Sequence, residues 1–214
     1  MPISTLNRLI SIILFLSVSA LSGCGTTPSA PSLQHTEHLN IPVDSLLSAD
    51  LAFRLGRTLQ SSAIAAGANK GARYSHIGII VRQANDVSII HIEPQRGGDE
   101  GVKCECLEEF FAPDKASAGA IVRLDNLTCE QRQTISQYLL LAARSPIRFD
   151  HDYTLSDTMR MYCTELTEWA YSKAGITLSA GRRHTLPLAS EAVILPSDIL
   201  LRDDIIPIWA FPSR

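Results

Sequence analysis

The chain reads as an α+β protein, and three observations carry that reading. Residues 74–81 and 87–93 are rich in β-branched residues and alternate with period two, as half-buried strands do. Residues 128–142 and 158–174 repeat apolar residues at helical spacing. The strands follow one another as a meander, without the regular strand–helix alternation of a parallel sheet.

Each element has its own justification. Asp50-Leu51-Ala52-Phe53-Arg54-Leu55 forms the first strand. Residues 61–66 form a short helical or turn piece, and 67–71 a loop. The strand at 74–81 carries the strongest signal. The polar turn Gln83-Ala84-Asn85-Asp86 leads into 87–93, Gly97-Gly98 turns the chain, and 102–107 pairs back. Residues 119–124 add a further strand. Thr128 and Gln131 have the spacing of a capping box, and Ile135, Tyr138, Leu139 and Ala142 recur behind them on one helical face. Pro146 stops that helix. The second helix, 158–174, ends at Gly175. Pro187 and Pro196 punctuate the C-terminal part, and 205–211 forms a last strand.

A length of 214 residues favours one domain, and a hydrophobic fraction of 45% suffices for a core. A net charge of −3 with no basic stripe gives no ground for nucleic-acid binding. The N-terminus stands apart. Arg8 precedes an apolar run at 9–20, and small residues lead into Leu21-Ser22-Gly23-Cys24, which resembles a bacterial lipobox. A plain transmembrane anchor is the alternative, but the run is short for a bilayer. The lipobox implies a signal peptide over 1–23 and a lipid on Cys24 that holds the protein to a membrane. Residues 24–40 form the lipidated end and a Ser-, Thr- and Pro-rich tether, and 41–214 the globular domain. His35 and His38 lie in the tether, where a solvated linker is the simpler reading than a metal-binding tail. The expected location is the bacterial cell envelope. Gly25 in place of Asp favours the outer membrane, facing the periplasm.

Of the five cysteines, Cys104, Cys106, Cys129 and Cys163 remain after Cys24. Cys104-Glu105-Cys106 has no second Cys or His pair at zinc-site spacing, so no metal and no cofactor are expected. Cys104, Cys106 and Cys129 read as small apolar filler or one incidental disulfide.

Cys163 is different. It lies in Met161-Tyr162-Cys163-Thr164-Glu165-Leu166, early in a helix whose residues Cys163, Leu166, Ala170 and Ala174 share one inward face. The dipole and unpaired N–H groups at a helix start favour a thiolate and offer an oxyanion site. The bland alternative is an inert buried thiol. His76, in Tyr74-Ser75-His76-Ile77-Gly78-Ile79, shares a strand face with Gly78 and Ile80 and is the candidate base. Gly78 leaves room beside it for another element. On the next strand His91 and Glu93 share a face; either can orient the His76 ring, and Glu93 can also be an ordinary surface carboxylate. Tyr74, Tyr162 and His91 are candidate substrate contacts.

These segments, together with Gly101-Val102, Phe149-Asp150 and Leu195-Pro196-Ser197-Asp198-Ile199, resemble the YiiX/YaeF-type permuted papain-fold family of the NlpC-type superfamily. The resemblance runs from about residue 48 to 210. It implies a circularly permuted papain-like fold, a small antiparallel β-barrel-like sheet packed on helices, with Cys163 as nucleophile, His76 as base and Glu93 as third residue. It departs from the family at Ala49-Asp50, where Gly-Asp is usual, and at His91. The implied activity is a thiol amidase or peptidase acting on a peptide such as a cell-wall peptide. A lipid ester or thioester hydrolase or acyltransferase at the membrane, and a non-catalytic scaffold or binding lipoprotein, are the alternatives.

Overall fold

A computed structural model describes residues 39–58, 74–95, 100–155, 157–185 and 191–212. The signal segment, the lipidation site Cys24, the pieces at 61–66 and 67–71, the Gly97-Gly98 turn and Pro187 lie outside the described residues. Leu39 already belongs to the folded body: its carbonyl accepts from the Trp209 indole at 2.8 Å. The body therefore reaches at least two residues ahead of the expected start at 41. No helix among the described residues is long and apolar enough to cross a membrane.

Strand β1 (Leu51–Gly56) sits inside the sheet because both of its faces are apolar, with Leu51, Ala52 and Phe53 fully buried. It pairs antiparallel with β2 (His76–Gln83) on one side and β5 (Ala116–Leu124) on the other. β3 (Asp86–His91) and β4 (Lys103–Cys106) extend the sheet beyond β2, and β8 (Ile205–Phe211) lies against β5. The order β4-β3-β2-β1-β5-β8 has two ends, so among the described residues the sheet is open rather than closed as a barrel. A second, parallel pair joins β6 (Arg148–Phe149) to β7 (Arg160–Met161).

Strand alternation divides the core into two layers. Leu51, Phe53, Ile77, Ile79, Val81 and Ile90 pack under helices α2 (Cys129–Ala142) and α3 (Cys163–Ser172). Ala52, Ile80, Ile89 and Ile121 face the other way, toward Leu107, Phe110 and Phe111 in and after the short helix α1 (Leu107–Phe110). A further short helix, α4 (Pro196–Leu200), begins with Pro196 in its first turn, where a missing N–H costs nothing. Neither short helix is expected from the sequence.

The capping box at α2 forms as the spacing predicts. Gln131 N–H donates to Thr128 Oγ1 at 3.1 Å, and Thr128 N–H to Gln131 Oε1 at 3.0 Å. Helix α3 starts five residues later than expected. Asp157 takes the N–H of Met159 and the guanidinium of Arg160, closing a turn, and Arg160–Met161 are then drawn into β7. Cys163 is consequently the first helical residue. Ala49, where the resembling family usually has glycine, adopts a φ of 66°, so the turn into β1 keeps a left-handed residue without one. The fully buried Asp50 anchors that turn: it accepts from Leu47 N–H at 2.8 Å and from Arg123 at 2.8 and 2.7 Å.

Candidate functional site

His76 opens β2 on the face that looks toward α1, and is 8% exposed. Its Nε2 lies 2.9 Å from Nδ1 of His91, which ends β3 and is 1% exposed. Both rings rest on Phe110, with centroids 5.7 and 5.1 Å away. Gly78 makes the meeting possible. A Cβ there would fall 2.5 Å from Ile89 Cγ2 and 3.0 Å from His91 Cβ. The room that this glycine leaves is therefore filled from β3, not by the cysteine helix.

Charged residues close round the two rings. Arg54 of β1 lies with its guanidinium 4.5 Å above the Phe110 ring, donates to the Phe110 carbonyl at 2.9 Å, and pairs with Glu93. Lys103 of β4 holds the other Glu93 oxygen at 2.9 Å. Glu105, also on β4, takes Lys115 at 2.9 Å on Oε1 and places Oε2 3.1 Å from His91 Nε2. The expectation that Glu93 orients His76 is thus corrected: its carboxylate is committed to two cations, and His91 occupies the place beside His76.

Burial, reinforced by Arg54, keeps the His76 ring neutral, its pKa well below the usual histidine value. Burial lowers His91 as well, against the opposing pull of Glu105. For both carboxylates burial alone would raise the pKa. Arg54 chiefly reverses this for Glu93, and the nearby His91 and Lys115 reverse it for Glu105, so both stay ionised.

Cys163 lies at the start of α3, packed against the core layer that holds Ile77. The backbone amides of Ile77, the neighbour of His76, and of Thr164 favour its thiolate. Among the described residues no hydrogen bond joins Cys163 to His76, whose ring lies toward α1 and Phe110. The backbone of β2 brings the two residues to one place, but the dyad is not hydrogen-bonded. The thiol is also less acidic than a helix start suggests. Burial pushes it up to about 11, outweighing the N–H groups that pull it down. Two residues along, burial raises Glu165 to about 8 against the N–H of Tyr162, so its carboxyl is largely neutral at pH 7 and does not repel a thiolate.

Of the expected substrate contacts, Tyr162 and His91 are buried and Tyr74 is partly buried. Tyr162 is buried, with its hydroxyl accepting from Ile194 N–H at 3.0 Å, and Tyr74 packs on Phe53 at 5.8 Å between ring centroids. His91 is the partner of His76. Cys104, Cys106, Cys129 and Cys163 are not in disulfides. Cys104 packs against the core, and Cys106 caps α1.

A reactivity difference should result from the raised thiol. Because the thiolate is the nucleophile, iodoacetamide at pH 7 should alkylate Cys163 more slowly than the exposed Cys129. The rate at Cys163 should climb as pH rises toward 11. Mass-spectrometric site mapping with Cys163 labelled first would contradict the burial argument.

In fold the chain is similar to the crystal structure of the metalloprotein YiiX from Escherichia coli O157:H7, DUF1105. The TM-score is 0.62 and the identity 21%, over 76% of this chain and 96% of that chain. No family model matches the sequence, and no curated protein matches it.

Proposed function

We propose that the protein is a lipid-anchored cysteine hydrolase with a permuted papain-like fold, Cys163 as nucleophile and His76 as base. The observation that supports this most is the packing of Cys163, the first residue of α3, on the core layer that holds Ile77, the strand residue that follows a buried imidazole held by His91. On substrate entry the thiol proton passes to His76, directly or through one water, as the sulfur attacks a carbonyl carbon. The developing oxyanion lies near the N–H groups at the start of α3. The tetrahedral adduct collapses, His76 returns the proton to the leaving group, and a thioester remains. Water, deprotonated by His76, then releases a carboxylic acid and restores the thiol.

The bond attacked is an amide of a cell-wall peptide, or an ester of a membrane lipid. The His76–His91 pair favours the second, since it resembles the His-rich acyl-lipid branch of the superfamily. Incubating the full chain with cell-wall peptide fragments and, separately, with phospholipid vesicles separates the two. Acid release from one and not the other, lost in Cys163→Ala, is the expected result. No release from either leaves the scaffold role as the reading that stands.

A metal-binding role is a second reading with its own observation: one ligand atom each from His76, His91 and Glu93 lies within 4.8 Å of the others. The solved YiiX structure is described as a metalloprotein. Two imidazoles and a carboxylate suit zinc and similar ions. An ion would have to part the two rings and draw Glu93 away from Arg54 and Lys103. On this reading the full chain binds one equivalent of Zn2+ by calorimetry, Glu93→Gln weakens binding at least about tenfold, and Cys163→Ala leaves it unchanged. Heat indistinguishable from dilution would remove it.

A further inference from the structure

We infer that Glu105 is a positioning residue that sets, through His91, which nitrogen of His76 is free to act as base. The inference rests on the Cys163–His76 reading for its catalytic meaning, but the protonation pattern it assigns is a property of the folded chain.

The residues form a row across three neighbouring strands. In the register of β3 and β4, Ile89 faces Glu105 and His91 faces Lys103, so Glu105 and His91 are diagonal neighbours on one sheet face. His91 Nε2 and Glu105 Oε2 are 3.1 Å apart. Both atoms are buried, and among the described residues neither has a hydrogen-bond partner. Buried polar atoms are nearly always satisfied, so two of them this close, with no other partner, are the natural pair that closes the row.

An ionised carboxylate only accepts hydrogen bonds, so His91 Nε2 carries the proton that faces Glu105. A neutral imidazole protonated at Nε2 has a bare Nδ1. That Nδ1 lies 2.9 Å from His76 Nε2, which must then be the donor. His76 is thereby protonated at Nε2 and keeps its lone pair on Nδ1. The carboxylate thus selects the base nitrogen from two residues away. When Nδ1 takes the thiol proton, His76 becomes a cation, and the Nε2–H bond to His91, itself polarised by Glu105, strengthens.

The surrounding charges explain why Glu105 and not Glu93 has this part. The positive charges of Arg54, Lys103 and Lys115 all bear on His76. Glu93 is satisfied by Arg54 and Lys103. Glu105 gives only one oxygen to Lys115, and its other oxygen lies 3.9 Å from Arg54, too far for a hydrogen bond.

The test uses long-range proton–nitrogen NMR on the full chain labelled at histidine, with the two rings assigned by removing each in turn. Wild type should show His76 and His91 both protonated at Nε2 with bare Nδ1. Glu105→Gln, whose amide can donate as well as accept, should mix the tautomers at both rings. If the chain hydrolyses a substrate, the same variant should lower kcat by about tenfold with KM unchanged, as loss of an orienting carboxylate does. Lys115→Ala, which touches only the outer Glu105 oxygen, should preserve the wild-type tautomers. A proton on His91 Nδ1 in wild type overturns the inference, even if Glu105→Gln fails to fold. So do unchanged tautomers in a folded Glu105→Gln. The expected tautomers in a chain with no hydrolase activity would instead leave Glu105 in its place and remove the catalytic reading.

Discussion

On the proposed hydrolase reading, Cys163→Ala is expected to reduce turnover by about a thousandfold or more while leaving the fold intact. In covalent catalysis nothing replaces the attacking atom, and loss of a nucleophile costs several orders of magnitude. Stability should hold because the thiol contributes modest contacts at the edge of the core layer under α3. Cys163→Ser should be nearly as inactive, since a hydroxyl lacks the nucleophilicity of sulfur. The comparison needs turnover on the substrate that wild type cleaves and circular-dichroism melting for each variant. Retention of a tenth or more of wild-type turnover with an unchanged melting curve would assign Cys163 to structure.

Gly78→Ala should be a damaging small substitution in the sheet. The added methyl would meet Ile89 Cγ2 at 2.5 Å, His91 Cβ at 3.0 Å and the Ile90 carbonyl at 3.2 Å, atoms near or in the β3 backbone that cannot swing aside. Overpacking of this kind costs about 1–3 kcal/mol, which for a chain of this size lowers the melting temperature by roughly 2–12 °C. The strain falls on the strand that presents His91, so the His76–His91 pair should loosen as well. Gly175→Ala is the informative comparison. Gly175 has a φ of 77° but nothing within 4 Å of the place a methyl would take, so only backbone strain of about 1–2 kcal/mol applies. A Gly78→Ala protein as stable as wild type would show that β3 can retreat from β2.

A physical division separates the features legible in the sequence from those hidden there. Runs of β-branched and apolar residues place β1, β2, β3, β5 and β8, and the helical spacing of Ile135, Leu139 and Ala142 places α2. It also puts His76 with Gly78 and Ile80, and His91 with Glu93, on shared faces. Pairing between strands is another matter. Glu105 lies between two cysteines in a four-residue strand, and only the β3–β4 register reveals that it is a diagonal neighbour of His91. Alternation of Lys103 and Glu105 is the available signal, and it needs that register to become useful. Phe110 and Arg54 escape for a similar reason: one comes from a single-turn helix too short for a helical period, the other reads as an ordinary surface charge at a strand end. The acidity expected of Cys163 fails because position in a helix is local, whereas desolvation depends on what the rest of the chain packs round the sulfur.

The row from His76 to Glu105 has a consequence for when the protein can become active. Its members lie on three separate strands, and sliding β4 by one residue would present Cys104 and Cys106 where Lys103 and Glu105 now stand. No fragment of the chain contains a working subset at the right spacing. On the proposed hydrolase reading, the chemistry would switch on only with the last of these pairings, and an unfolded chain would hold every reactive residue yet remain harmless to its surroundings.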